Sequence, residues 1–163
     1  MQLLPVLFTF RLNHREGVKT MRTDERNIRR FNEFLAVRQS GAVTSWQMIA
    51  ALINEKGWKK QRFCDNTLLD EFVFDRAMSN HKSKPNIRTI VAVCAGMDAA
   101  LSTADAILAA SGYRLGNSKE HLAFEYILRD MAGTPLEQRN AFLASIGIVP
   151  LGSKNNRERQ KAS

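Results

Sequence analysis

Helix-opening signatures recur along this chain and nothing in it alternates. Thr44-Ser-Trp-Gln47, Ser102-Thr-Ala-Asp105, Ser118 and Thr134-Pro-Leu-Glu137 each place a hydroxyl where it can accept a free backbone N–H at the start of a helix. In the first of these Gln47 can reach back to the cap, and in the last a proline and a glutamate take their favoured first-turn places. Gly41, Gly57, Gly112, Gly133 and Gly147 follow as stops, because glycine enters the left-handed conformation that closes a helix without a Cβ penalty. No Val, Ile or Thr run alternates with polar residues, and no Asn-Gly or Asp-Gly pair joins two such runs. A sheet therefore has little to be built from, and the expected fold class is all-α.

The apolar spacing predicts about eight helices. The first runs from about Thr23 to Arg38, with Ile28, Phe31, Phe34 and Leu35 recurring every three or four residues. The second runs from Thr44 to Gly57 and lines one face with Trp46, Ile49, Leu52 and Ile53. Two short amphipathic segments follow, Lys60 to about Asn66 and Asp70 to about Ser79, separated by Thr67, Leu68 and Leu69. Phe63 and Cys64 face inward on one, Val73 or Phe74 and Ala77 on the other, and Asp70 is a cap candidate. Pro85 forces the loop from Asn80 out of helix. Helices from Asn86, Ser102, Ser118 and Thr134 complete the set. They fall in one all-helical domain over 23–150, between a poorly ordered extension over 1–22 and a disordered basic tail over 151–163. Met21 stands just ahead of the first helix start, so Met1 and Met21 both remain open as the start of translation.

At 163 residues the chain can bury a core without disulfide staples. Its two cysteines, Cys64 and Cys94, lie at inward helix positions, which fits small buried side chains in a reducing compartment and leads to a cytoplasmic expectation. The apolar run Leu3 to Phe10 is less than half the length needed to span a bilayer, so no membrane is expected as a partner. Net charge is +8, yet residues 1–22 and 151–163 each carry four Lys and Arg against one Glu. The ends thus hold +6, and the middle is nearly neutral. Charge alone therefore argues only weakly for nucleic acid. Catalysis is not expected. His14, His81 and His121 lie in separate segments without metal spacing, there is no glycine-rich phosphate loop, and Glu120, Glu125 and Asp130 do not share one helix face. No metal and no cofactor are expected.

A run of segments carries a resemblance. Gly57-Trp-Lys-Lys-Gln-Arg-Phe-Cys64, Leu68-Leu-Asp-Glu-Phe-Val-Phe-Asp-Arg76, Lys84-Pro-Asn-Ile-Arg-Thr-Ile90 and Cys94-Ala-Gly-Met97 resemble, in order and spacing, the five-helix domain of the Cro and cI repressors, the XRE family. The resemblance covers about 60 residues within 44–112. It implies a lambda-repressor-like five-helix domain, here with an additional N-terminal helix and two C-terminal helices. It further implies a DNA-binding transcriptional regulator whose recognition helix, about 70–79, lies in the major groove of double-stranded DNA. Glu71, Phe72, Asp75 and Arg76 would then face the bases, and Lys59, Lys60, Arg62, His81, Lys82 and Lys84 would hold the backbone. Two positions depart from the family pattern: Lys60 replaces the usual Gln, and Asn80 the usual Gly. The recognition helix itself is acidic, with Asp70, Glu71 and Asp75 against Arg76.

That acidity sustains an alternative from a different class. A helix-turn-helix scaffold can present Phe72 among carboxylates to a protein partner, since an aromatic ringed by polar groups is a common form of binding hot spot. The last helices carry Phe124, Tyr126, Ile127, Met131, Phe142, Leu143 and Ile146, which can either pack on the core or pair with a second copy in a homodimer.

Overall fold

A computed structural model of the chain describes residues 24–32, 35–36 and 43–153. The expected extension over 1–22, Phe34, Gly41 and the basic residues Lys154, Arg157, Arg159 and Lys161 lie outside the described residues. The chain divides into two units, Met1–Ala42 and Val43–Ser163. In the first, residues 24–32 and 35–36 are helical, with Ile28 and Phe31 exposed. The domain expected over 23–150 thus spans both units.

The second unit is all-helical among the described residues. Its helices are α1 (Ser45–Lys56), α2 (Lys60–Thr67), α3 (Glu71–Met78), α4 (Ile87–Gly96), α5 (Leu101–Ala110), α6 (Lys119–Arg129) and α7 (Leu136–Ser145). None of the described helices is long and apolar enough to cross a membrane. α4 is the axis of the fold. Six consecutive apolar residues from Ile90 to Ala95 are buried on it, as a helix needs when neighbours cover it on several sides, and α2, α5, α6 and α7 all pack against it. α1 closes over α3 and α5 through Trp46, Ile49 and Ile53. α4 and α2 pack closely: a Cβ on Gly96 would lie 2.5 Å from the Asn66 carbonyl oxygen and 2.6 Å from the Thr67 Cα.

Local signals place several boundaries. Thr44 and Gln47 form the reciprocal cap of α1, and Gly57 closes it at φ 63°. Asn86 and Ser118 cap α4 and α6 by accepting from the Thr89 and His121 N–H groups. Two expected caps are displaced. α5 begins at Leu101 with Ala100 as its cap, so Ser102 lies inside the helix, because the buried Ala99 and half-buried Leu101 set the entry two positions earlier. α7 begins at Leu136, with Pro135 rather than Thr134 at the cap, and the Thr134 hydroxyl instead donates back to the Met131 carbonyl.

The tail also differs from expectation at its root. Leu151 is fully buried, and Gly152 and Ser153 are half-buried, so the chain stays packed three residues into the segment expected to be disordered. The cause is a polar clasp: the Asn140 side-chain amide donates to the Leu151 carbonyl at 2.9 Å and accepts from the Leu151 N–H at 2.7 Å. Of the C-terminal apolar residues, Phe124, Ile127 and Leu143 are buried within this unit; Met131, Phe142 and Ile146 are half-buried, and Tyr126 is exposed.

Both cysteines are buried thiols, not joined in a disulfide. Burial pushes the Cys94 thiol up to about 12, which leaves on the order of one in 10⁴ as thiolate at pH 8. Iodoacetamide at pH 8 is therefore expected to label Cys94 only after denaturant is added. Rapid labelling in buffer would instead show α4 opening locally.

Candidate nucleic-acid interface

α2 and α3 are joined by the turn Leu68–Asp70, in which Leu68 takes the left-handed conformation at φ 56° and its N–H closes α2 on the Cys64 carbonyl. Phe63 of α2 meets Phe74 of α3 edge-on at 5.6 Å, and with Ala77 this fixes which side of α3 faces the interior. An eight-residue helix packed along Val73, Phe74 and Ala77 leaves Glu71, Phe72, Asp75 and Arg76 outward. All four are exposed, and Phe72 is 70 % exposed. Asp70 occupies the cap of α3 without a side-chain cap hydrogen bond.

The expected backbone-holding cations occupy two settings. Lys60, at the first position of α2, reaches across to α3: its ammonium lies 2.7 Å from Asp75 Oδ1 and 5.9 Å from the Phe74 ring. The hydrogen bond to Asp75 raises its pKa above the ordinary lysine value. One residue expected at phosphate and one expected at bases are thus brought together. Arg62 lies over the Trp58 ring at 5.1 Å, with Lys56 over the same ring at 5.6 Å, and Lys59 is exposed at the cap of α2.

His81, Lys82 and Lys84 lie on the loop after α3, all exposed. The loop is held firmly. Asn80 takes a left-handed φ of 47°, the Trp46 indole N–H donates to the Ser83 carbonyl, the Thr44 hydroxyl donates to Asn80 Oδ1, and Pro85 is buried. His81 Nδ1 accepts from the Ser83 N–H at 3.1 Å. In the neutral ring the proton then sits on Nε2, which makes that atom the donor.

Sequence reasoning missed the polar residues that join the end of the unit to its start. Arg88 on α4 pairs with Glu120 and donates to the Val149 and Pro150 carbonyls. The Asp70 N–H donates to Ser153 Oγ at 3.1 Å. Arg139 is 0 % exposed, yet no local pattern distinguishes it from the solvent-facing Arg129. Among the described residues, no three His, Cys, Asp or Glu side chains converge as metal ligands would. Compared with protein-family models, curated proteins and solved structures, the chain matches none.

Proposed function

We propose that this chain is a DNA-binding transcriptional regulator built on a Cro- and cI-like helix-turn-helix, with α3 entering the major groove. The observation that carries the reading is the outward row of α3, where Glu71, Phe72, Asp75 and Arg76 stand exposed over a helix held from behind by Val73, Phe74 and Ala77. The acidity of that row is lessened because Lys60 holds Asp75. Arg76 then offers a fork to guanine O6 and N7, Glu71 an acceptor to a cytosine amino group, and Phe72 an apolar contact to a thymine methyl. Lys60 keeps two of its three N–H donors for phosphate, and Lys59, Arg62, His81 Nε2, Lys82 and Lys84 supply the remaining backbone contacts.

The test is fluorescence anisotropy with random-sequence duplex across a salt series. Lys82→Ala/Lys84→Ala is expected to make the slope of log K against log salt shallower by about 2, since each phosphate contact contributes roughly 0.9. A specific duplex found by selection should then lose discrimination at one position with Arg76→Ala, by about 1–3 kcal/mol.

The exposure of Phe72 favours a second reading, in which the same face binds a protein. A chain that leaves duplex DNA unbound even at low salt would displace the first reading in favour of this one.

A further inference from the structure

The start of α3 is held from a distant part of the chain. At α1 the cap is closed locally, because Gln47 at the third helical position reaches back to the Thr44 N–H. The sequence of α3 offers no such residue: Val73 stands at its third position, and the Asp70 side chain makes no cap hydrogen bond. The Asp70 N–H donates instead to Ser153 Oγ at 3.1 Å. Gly152, at φ 99°, lies against the same turn, so close that a Cβ there would sit 2.6 Å from the Leu68 carbonyl oxygen. Leu68 itself takes a left-handed φ of 56°, a conformation that is costly for a leucine and persists only where its surroundings impose it. Behind these two contacts the segment is anchored in turn. Asn140 binds both backbone groups of the buried Leu151, and Arg88 donates to the Val149 and Pro150 carbonyls.

Resting on the DNA-binding reading, we propose that Ser153 is a positioning residue for base reading: it supplies the cap bond that the sequence of α3 lacks, and so fixes the turn of helix that carries Glu71 and Phe72. Asn140 acts one step further back, holding Leu151 in register so that Ser153 meets Asp70. The effect of both reaches DNA through α3. Glu71 and Phe72 are the first two residues of that helix, so their placement follows directly from where Asp70 starts it. The phosphate contacts are anchored differently: Lys59 stands at the cap of α2, and Lys82 and Lys84 lie on the loop that Trp46 and Thr44 hold through Ser83 and Asn80. A base contact depends on the direction of its hydrogen bond or methyl packing, whereas a lysine is a point charge on a flexible stem and follows its phosphate. The 149–153 segment therefore governs discrimination between sequences and leaves the salt-dependent attraction alone.

The experiment compares the full chain with its Ser153→Ala, Ser153→Thr and Gly152→Ala variants, the last of which must lift the segment from Leu68. Thermal melts check that each is folded, and the Ser153 pair decides alone if Gly152→Ala is not. Amide exchange followed by NMR reads the bond itself. Ser153→Ala is expected to speed exchange of the Asp70 N–H about tenfold or more, since its acceptor is gone from the folded state, against about fivefold at most for a core amide such as Val93, which feels only the lost stability of one hydrogen bond. Ser153→Thr keeps the acceptor oxygen and should restore the wild-type rate. A duplex found by selection is then compared with a random one across a salt series. Ser153→Ala and Gly152→Ala are expected to lower the ratio of the two affinities about fivefold or more with the salt slope on random duplex unchanged, and Ser153→Thr to restore the ratio. Asp70 exchange in Ser153→Ala that rises no more than that of the core would overturn the bond. A wild-type ratio alongside faster Asp70 exchange would overturn the positioning role and reduce Ser153 to a structural one, with DNA binding still standing. A salt slope that falls with the ratio would overturn it too, by showing the segment in contact with phosphate. No binding by the full chain would remove the functional reading and base reading with it, a failure that the exchange rates keep distinct from failure of the bond.

Discussion

Gly96→Ala is expected to destabilise the Val43–Ser163 unit by about 3 kcal/mol, at the severe end of what overpacking costs. On helix propensity alone the same change should stabilise, since glycine inside a helix is worse than alanine by roughly 0.5–1 kcal/mol. The sign reverses because the added methyl would meet backbone: the Asn66 carbonyl oxygen at 2.5 Å and the Thr67 Cα at 2.6 Å. Backbone at the end of α2 cannot rotate aside as a side-chain tip can, so α2 and α4 must separate. That separation opens the seam between the two helices, on which α2 buries Phe63 and Cys64 in the core. Gly57→Ala is the matched control, with nothing within 4 Å and only the left-handed φ of 63° to oppose it, and about 1 kcal/mol is expected. Urea unfolding of the three proteins makes the comparison. A Gly96→Ala midpoint at or above that of Gly57→Ala would mean that the two helices do not meet so closely.

Asp98→Asn should destabilise by about 3 kcal/mol, whereas Arg139→Met should cost only about 1 kcal/mol. The asymmetry follows from which partner is buried. Arg139 is fully buried, its Nη2 lies 2.6 Å from Asp98 Oδ1, its Nε donates to the Thr134 carbonyl, and its Nη1 finds no partner among the described residues. Asp98 is half exposed and also accepts from the Gly133 N–H at 2.8 Å. Neutralising the carboxylate strands a guanidinium in the interior; replacing the arginine by a thioether of similar length removes the stranded charge and leaves a carboxylate that water can reach. Asparagine is chosen because Asp98 has a φ of 50°, which asparagine tolerates. The Gly133 N–H first, and then Arg139, hold the Asp98 pKa below its ordinary 3.8. A depressed carboxylate contributes stability that is fully present above the unfolded value and lost as pH falls through the folded one. The gap between wild type and Asp98→Asn should therefore be constant near neutrality and close below about pH 4. Equal costs for the two substitutions, or a gap indifferent to acid, would show that the pair is not the anchor described.

The elements that the sequence made legible are those decided by neighbours in the chain. Thr44 with Gln47, Gly57, Asn86 and Ser118 act within four residues of themselves, and the structure uses each as its chemistry suggests. Ser102 and Thr134 carry equally good local chemistry and are passed over, because buried Ala99 and Leu136 fix their helices from outside the local pattern. The outward row of α3 was legible for the same reason as the caps, since Val73, Phe74 and Ala77 define an inner face by spacing alone. The pairing of Lys60 with Asp75 was not, because it joins two helices across a turn whose geometry no local pattern states. The carboxylate that pairs with the buried Arg139 and the partners of Leu151 and Ser153 lie between 11 and 83 positions away, where periodicity carries no information.

The bond between Asp70 and Ser153 spans 83 positions of chain. During translation at about 5–20 residues per second, the turn between α2 and α3 is therefore made roughly 4–17 s before the segment that closes over it. Throughout that interval the nascent chain carries its first helices with the Leu68 carbonyl and the Asp70 N–H still open to solvent or chaperone.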